Sequence, residues 1–321
     1  MAGKVAIIGA GNVGTATAFA VAMDGTPDEV VLFDCNLKKA EGEVMDIEHA
    51  STFIPHTDFH ATQDYKDVAD ADVVVITAGA KQAPGDTRLD LVDKNIDILS
   101  SILEQVVPVA PNAVLLLVAN PVDVLTYAAY QMSGFPAERV IGTGTVLDTV
   151  RFRSFLADEF DVNPKNVHAY IMGEHGNSSF PVLSNASIGA IPMSKMDGYD
   201  KARMMEIHED VVQAAYEVID RKGATNLAIG VCVAKLLHVM LNDTEEILPV
   251  STVLDGEYGL DGLAISTPCM IGRNGITRRF ELPLNAQEKK GLKKSAAVLK
   301  RVITEQEARD KDSAAWCPRT D

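Results

Sequence analysis

The sequence predicts an α/β protein in which a doubly wound parallel sheet, over residues 1–145, is followed by a mixed α+β domain over residues 146–321. Three observations predict this class. Apolar, β-branched runs alternate with helical segments through the first part, a glycine-rich turn joins its first strand to its first helix, and the second part loses the alternation. Alternating strands and helices are typical of parallel sheets covered on both faces, whereas separate runs of each indicate α+β structure.

The strands of the first part are its clearest elements. We expect five of them, near residues 4–9, 30–34, 72–77, 113–118 and 139–142. Residues 73–76 and 114–118 are continuously apolar, which favours strands that are buried on both faces of a parallel sheet.

The second part has a different texture. A helix near 148–160 is followed by strand-like segments at 167–172 and 181–187 and by two long helices at 197–221 and 225–242. Three further strands at 247–254, 262–271 and 276–281 precede a terminal helix at 286–308. Asn274-Gly275 is a two-residue hairpin signal between the last two strands.

The turn after the first strand carries glycines at the three positions of a dinucleotide-binding motif. Gly9 permits the tight turn, Gly11 lets the backbone approach a pyrophosphate, and Gly14 lets the following helix pack against the strand. The alternative is a glycine-rich turn of another α/β fold, such as a methyltransferase. Because the motif lies between two apolar strands, it favours the Rossmann arrangement.

A carboxylate at the end of the second strand indicates which dinucleotide binds. Asp34 follows Gly14 by 20 residues, the spacing expected for hydrogen bonds to a ribose 2′-hydroxyl. Its charge would repel a 2′-phosphate. The predicted cofactor is therefore NAD rather than NADP.

Composition excludes several other classes. The chain has 321 residues, 47% of them hydrophobic, and a net charge of −16. This acidity argues against binding to nucleic acid or to anionic membranes. The first strand begins at Lys4 and no apolar stretch reaches the ~18 residues of a membrane span, so we expect a cytoplasmic protein without a signal peptide.

The cysteines give no sign of a metal site or a disulfide framework. The chain has four, widely scattered and without paired spacing: Cys35, Cys232, Cys269 and Cys317. Buried or free thiols are the expected state, and we predict no bound metal.

Four segments carry residue types suited to catalysis. His175 lies between glycines just after a predicted strand, and Asp148 and Arg151 share one face of a predicted helix. Arg88 ends a segment with Pro84-Gly85 at its centre, which is typical of a mobile lid. Asn120 ends a buried strand at the sheet edge where such folds bind ligands. Each residue alone has a plain structural explanation.

Together these segments identify a resemblance that runs from the first strand to the last helix. The sequences GAGNVG at 9–14, TAGAKQAPGDTRLDL at 77–91, NPVD at 120–123, IGTGTVLDTVRFR at 141–153, GEHG at 173–176 and KGAT at 222–225 are in family order and spacing. The chain resembles the 2-hydroxy-acid dehydrogenases of the lactate/malate dehydrogenase family.

The resemblance implies a role for each of these residues. His175 would be the acid/base, Asp148 its partner, and Arg88 the cation that polarises the substrate carbonyl. Arg151 would bind the substrate carboxylate, with Asn120 and Thr225 lining the pocket and Ile229 behind the nicotinamide. The remaining residues expected to bind NAD are Gly9, Gly11, Val13, Gly14, Asp34, Lys39, Tyr65, Gly79, Ala80, Ser101, Val118, Asn120 and Thr143.

The substrate is predicted from Gln82. In this family the position faces the variable side chain of the substrate, and malate dehydrogenases carry arginine there. A neutral Gln82 would leave the second carboxylate of oxaloacetate unpaired in a closed site, which favours pyruvate and lactate. Asn177, where lactate enzymes usually have aspartate, keeps open the 2-hydroxyisocaproate dehydrogenases with a broader 2-keto acid range, and malate is a third possibility.

Two further residues match an allosteric site of the family. Arg153 and His168 lie where bacterial lactate dehydrogenases bind fructose 1,6-bisphosphate between subunits. The resemblance thus implies an activator, weaker at high pH because a neutral imidazole contributes no charge, and a homotetramer or at least a dimer. The alternatives are a solvated arginine with an interface histidine, and, for the whole chain, a redox-sensing NAD-binding protein without activity.

Overall fold

A computed structural model describes residues 3–80 and 88–310. The helices are α1 Asn12–Asp24, α2 Leu37–Glu48, α3 Arg88–Val109, α4 Val122–Ser133, α5 Val146–Glu159, α6 Lys201–Lys222, α7 Leu227–Leu241 and α8 Ala286–Asp310. The strands are β1 Lys4–Ile8, β2 Glu29–Phe33, β3 Asp58–Thr62, β4 Val73–Ile76, β5 Val114–Leu117, β6 Val140–Gly142, β7 Val167–His168, β8 Ile171–Met172, β9 Phe180–Pro181, β10 Ser187–Ile188, β11 Ile191–Pro192, β12 Glu246–Asp255, β13 Asp261–Gly272 and β14 Gly275–Arg279.

The first six strands form a parallel sheet in the order β3-β2-β1-β4-β5-β6. The order reverses between β1 and β4, and in open α/β sheets ligands bind beside the carboxyl ends of the strands at that point. All residues of β4 and β5 are buried, as their continuously apolar sequences predicted. The predicted fold class is confirmed for this half of the chain.

Strand β3 was not predicted. Its sequence, DFHAT, alternates exposed and partly buried residues and lies at the edge of the sheet beside β2. An edge strand needs no continuous apolar run, because one side of it faces solvent. For this reason the residue pattern of β3 does not indicate a strand.

The long strands of the second half extend the same sheet. Strands β12, β13 and β14 are antiparallel and follow β6, so that nine strands of the described residues form one sheet. The connection is narrow, since β12 pairs with β6 only through Ser251 and Gly142. The shorter strands form separate small sheets, β11-β10-β7 and β8-β9.

The helices pack on both faces of the sheet. Helix α1 packs directly on α7, where Gly230 lies so close that a Cβ there would be 2.7 Å from the carbonyl carbon and oxygen of Ala16. Helices α3, α4 and α8 pack on the other face, where their buried residues form one apolar cluster with those of the strands, including β13. Helices α5 and α6 enclose a third apolar cluster around Phe152, Leu156 and Met204.

Candidate active site

The turn from β1 into α1 can accept a pyrophosphate. A Cβ on Gly14 would lie 1.7 Å from the carbonyl oxygen of Gly9, so only glycine fits there, whereas a Cβ on Gly11 would meet nothing within 4 Å. Gly11 is the N-cap of α1, makes no side-chain cap, and is followed by no acidic residue in the first turn. The N–H groups of that turn are therefore left for an anion, and the turn fits the phosphates of a dinucleotide.

Asp34 lies at the end of β2, next to this turn. Its Oδ2 accepts the Ala10 amide at 2.8 Å and its Oδ1 accepts the Asn36 amide at 2.9 Å. A carboxylate oxygen can accept a second hydrogen bond, so both oxygens keep capacity for ribose hydroxyls while the backbone holds the group in place. Beside it, the Tyr65 ring lies 4.1 Å from that of Phe33, and burial raises the pKa of Tyr65 to about 12.

An asparagine that sequence analysis missed joins two of the predicted loops. Asn95 of α3 is 2% exposed. Its Oδ1 accepts the Ala80 amide at 2.6 Å, and its Nδ2 donates to the carbonyl of Asn120 at 2.8 Å. The available signal was a polar residue within the apolar stripe of α3, between the buried Val92 and Leu99.

Asn120 follows β5 at the carboxyl edge of the sheet. The Asn120–Pro121 peptide bond is cis, and the side-chain Oδ1 accepts the Val122 amide at 3.3 Å. Among the described residues no hydrogen bond uses its side-chain NH₂ group, and Asn120 is exposed. Val118 and Thr143, at the ends of β5 and β6, are buried beside it.

The structure brings His175 and Asp148 into direct contact. Asp148 lies in the first turn of α5, and His175 follows β8. The Nδ1 atom of His175 lies 2.7 Å from Asp148 Oδ2. Arg151, one turn further along α5, places Nη1 at 3.8 Å from Asp148 Oδ1. The three side chains therefore form one cluster, in which the His175 side chain is 26% exposed.

The charges of this cluster set its protonation. Burial alone would lower the pKa of His175, but the charge and hydrogen bond of Asp148, helped by Asp123, outweigh it and raise the pKa to about 9. Burial alone would raise the pKa of Asp148, but His175 and Arg151 hold it below its ordinary value. At neutral pH the pair is an imidazolium and a carboxylate, and the imidazolium can give a proton.

The other predicted residues are distributed around this edge or lie outside the described part. Thr225 and Ile229 lie partly buried where α6 gives way to α7, Lys39 is in the first turn of α2, and Ser101 is exposed on α3. Gln82 lies outside the described residues, and so does the side chain of Arg88.

The predicted allosteric pair lies on α5 and β7. Arg153 Nε donates to the carbonyl of Ala169 at 2.9 Å, and its guanidinium carbon lies 5.2 Å from the centre of the Tyr170 ring. His168 is the residue before Ala169 and is exposed. Arg153, on α5, is thus bonded to the backbone one residue beyond His168.

Family models match nearly the whole described chain. The model for the lactate/malate dehydrogenase NAD binding domain matches residues 3–142, and the model for the lactate/malate dehydrogenase alpha/beta C-terminal domain matches residues 145–310. The chain belongs to the lactate/malate dehydrogenase family. This is an NAD-dependent oxidoreductase family, so the predictions of enzyme class and of NAD are confirmed.

Members of the lactate/malate dehydrogenase family from several bacteria are similar over most of their length. The chain is 46% identical to an L-lactate dehydrogenase of Bacillus pumilus and 48% identical to one of Geobacillus kaustophilus, each over 94% of this chain and 96% of the relative. Among solved structures, the minor L-lactate dehydrogenase of Enterococcus mundtii has a TM-score of 0.92 at 38% identity, covering 95% of this chain and 98% of the other. A lactate dehydrogenase from a Medee basin deep-sea metagenome library has the same TM-score and identity.

A membrane span is not among the features of this family member that the structure describes. Within residues 3–80 and 88–310, no helix combines the length and the apolarity needed to cross a bilayer.

Proposed function

We propose that the protein is an L-lactate dehydrogenase that reduces pyruvate to L-lactate with NADH, reversibly. The observation that carries the proposal is the His175–Asp148 pair at 2.7 Å with Arg151 on the other carboxylate oxygen. The pair holds a proton for the substrate oxygen, and the arginine supplies a cation for the substrate carboxylate. The names of the relatives support the same reaction.

The chain contributes the proton and the binding groups. Bound NADH supplies the hydride for the substrate carbonyl carbon. His175 gives its proton to the carbonyl oxygen and, in lactate oxidation, takes it back. Asp148 orients the imidazole and stabilises its charged form. Arg151 can bind a carboxylate through two parallel hydrogen bonds.

Residues from three other segments complete the pocket. Asn120, at the end of β5, is placed to donate a hydrogen bond from its exposed amide. Thr225, between α6 and α7, would line the pocket as the family resemblance implies. By the family resemblance, Arg88 would polarise the substrate carbonyl in a site from which water is excluded.

The choice of pyruvate over oxaloacetate rests on Gln82. A neutral side chain would leave the second carboxylate of oxaloacetate without a partner, a cost of several kcal/mol in a closed site. The alternatives are a 2-hydroxyisocaproate-type enzyme with a broader range, suggested by Asn177, and a malate dehydrogenase.

One panel of assays tests this choice. NADH oxidation is followed with pyruvate, oxaloacetate and 2-ketoisocaproate, and kcat/KM is expected to be highest for pyruvate. Gln82→Arg is expected to move the preference toward oxaloacetate. Faster turnover of oxaloacetate than of pyruvate by the wild type would overturn the role of Gln82. Full activity of the His175→Asn variant would overturn the proposed reaction itself.

We propose further that fructose 1,6-bisphosphate activates the enzyme through Arg153 and His168. Arg153 donates a hydrogen bond to the carbonyl of Ala169, the residue that follows the exposed His168. A bisphosphate that contacts this pair from each of two subunits would stabilise the assembly that binds pyruvate.

The pyruvate saturation curve tests the activation. With the bisphosphate, the apparent KM for pyruvate is expected to fall at pH 6, because binding of the effector favours the pyruvate-binding assembly. Arg153→Gln should remove the response, and inorganic phosphate serves as the control ligand. An unchanged apparent KM at pH 6 would refute the proposal.

We propose a homotetramer in the cytoplasm as the working form. Large apolar side chains are exposed on several elements, which a second copy of the chain would cover. These are Phe19, Met23, Met45, Phe53, Leu227 and Val231, with Phe53 91% exposed. Analytical ultracentrifugation tests the assembly: sedimentation as a monomer at micromolar concentration would contradict it.

A further inference from the structure

A buried carboxyl group that the proposed reaction does not use lies against His175. Asp123 is in the first turn of α4 and is 2% exposed. Its Oδ2 accepts a hydrogen bond from the backbone N–H of His175 at 2.7 Å. The residue therefore joins α4 to the loop after β8 that carries His175, called the catalytic loop below, 52 positions away in the sequence.

The other oxygen of this carboxyl group is poorly satisfied. Within the described part of the chain, Oδ1 of Asp123 has no hydrogen-bond partner, and neither has the hydroxyl of Ser251 on β12. The Ser251 hydroxyl is nevertheless near enough to lower the pKa of Asp123 and so to favour its ionised form. A buried polar atom without a partner costs free energy. Apolar residues surround this position on α4, since Val122, Val124 and Leu125 are all buried. An acid here thus needs a compensating benefit.

The charged surroundings indicate what that benefit is. Burial raises the pKa of Asp123 to about 6, against the opposing effect of His175, so the group is an anion at neutral pH. The interaction is mutual: Asp123 is the second carboxylate, after Asp148, that raises the pKa of His175. Asp123 contacts the backbone N–H of His175, whereas Asp148 contacts the ring nitrogen Nδ1.

We propose that Asp123 is a positioning residue of the reaction, which fixes the backbone of the catalytic loop and places a second negative charge against His175. The first role comes from the hydrogen bond and the second from the ionised carboxyl. The proposal rests on the proposed function, because it assigns Asp123 a task only if His175 transfers the proton.

Other charged or titratable groups act on Asp123, His175 and Asp148 from three neighbouring segments. Helix α5 contributes Asp148 and Arg151, which act on His175 with opposite signs. The loop after β8 contributes Glu174, whose charge opposes ionisation of Asp123. Helix α6 contributes His208, which burial keeps neutral and which feels the charge of Asp148. Among these groups Asp123 and Asp148 are the two that hold the proton on His175.

The variant Asp123→Asn separates the two roles. Its amide oxygen can still accept the His175 N–H, so the loop should keep its position while the charge is lost. In pyruvate reduction, the alkaline limb of kcat/KM is expected to move to lower pH by about one unit, with kcat at pH 6 within about threefold of the wild type. Asp123→Ala, which also removes the acceptor, is expected to lower kcat at every pH.

Glu288→Gln is the matched control. Glu288 is also a buried carboxylate, 5% exposed, that accepts backbone amides, those of Ser184 and Asn285, each at 2.9 Å. It lies on α8 and does not contact His175 in any bond that the structure describes. Its substitution should leave the alkaline limb at the wild-type pH even if it lowers stability.

The outcomes distinguish this proposal from the proposed function. An unmoved limb in Asp123→Asn, with kcat uniformly reduced, would show that Asp123 is only a structural residue. Full activity in His175→Asn would instead defeat the proposed function. If Asp123→Asn does not fold, histidine NMR of the wild type decides: protonation of Asp123 should give the His175 ring signal a second inflection near pH 6, and a single inflection would refute the proposal.

Discussion

Arg151 approaches Oδ1 of Asp148, the carboxylate oxygen that His175 does not use. The contact is long, at 3.8 Å, and the side chain is 15% exposed. The guanidinium therefore keeps N–H groups for a second anion. Because two parallel hydrogen bonds need its planar fork, the charge alone is not sufficient at this position.

Arg151→Lys tests this requirement. The variant keeps the charge but loses the bidentate geometry, and kcat/KM for pyruvate is expected to fall by about 100-fold or more. Arg203→Lys is the control, since Arg203 makes exposed ion pairs with Glu159 and Glu206 and its replacement should change kcat/KM little. A variant Arg151→Lys with wild-type kcat/KM would remove Arg151 from the substrate site.

The pKa of His175, raised to about 9, predicts the pH dependence of both reaction directions. Pyruvate reduction needs the imidazolium, so its kcat/KM should fall tenfold per unit above about pH 9. Lactate oxidation needs the neutral His175 ring, so its kcat/KM should rise with pH up to about pH 9. In Asp148→Asn both limbs should move to lower pH, whereas Asp158→Asn, an exposed carboxylate on the same helix, should leave them in place. Steady-state assays from pH 6 to 10 make the comparison.

The residues proposed for catalysis were predictable because each lies in a motif with its own chemistry. Asp148 and Arg151 come from α5 and His175 from the loop after β8, and the three side chains lie together in the structure. Asn95 and Asp123 were not predicted. Both act through backbone amides of distant segments, those of Ala80 and His175, and a sequence does not show which amide a side chain will meet.

At the scale of elements, the close contact of α1 with α7 depends on a missing side chain. Gly230→Ala would place a methyl group 2.7 Å from the backbone of Ala16. The helices would have to separate, and the free energy of unfolding is expected to fall by about 1–3 kcal/mol. Gly42→Ala is the control, because a Cβ on that exposed helical residue meets nothing within 4 Å. It should be neutral or stabilise by up to about 1 kcal/mol. Urea unfolding at one protein concentration measures both, and equal stability in Gly230→Ala would contradict the packing argument.

Elements with a strong pattern were predicted and those that depend on distant partners were not. The buried strands β4 and β5 and the long helices α6 and α7 follow the predicted ranges within a few residues. The edge strand β3 was missed because its sequence is polar. The pairing of β12 with β6 was also not predicted, since nothing local in Ser251 or Gly142 indicates that the two strands meet.

At the scale of the whole molecule, a buried histidine links stability to pH. His208 on α6 is 7% exposed, and its Nε2 lies 3.3 Å from Ser179 Oγ. Burial lowers its pKa to about 4. The unfolded chain, with an ordinary histidine, binds a proton at higher pH than the folded one, so stability is lost as pH falls from about 6.5 toward 4.

The size of this effect can be measured. Between pH 8 and pH 5 His208 should remove about 2 kcal/mol of the free energy of unfolding. His208→Gln should show a pH dependence that is smaller by this amount, whereas His56→Gln, at a side chain that is 86% exposed, should show the wild-type dependence. Urea titrations at pH 8 and pH 5 measure the free energy of unfolding. If it changes by the same amount between these pH values in His208→Gln and in the wild type, His208 is not the source of the pH dependence.

The narrow pairing of β6 with β12 has a consequence for protein engineering. Because the two halves share one sheet through Ser251 and Gly142, a chimera that joins the first half of this chain to the second half of a relative must recreate that junction. A Cβ on Gly142 would lie 2.9 Å from the Ser251 Cβ, so the two positions should be exchanged together. In libraries of chimeras joined between residues 142 and 145, we therefore expect active members mainly where the relative has a small residue at the position of Ser251, opposite Gly142.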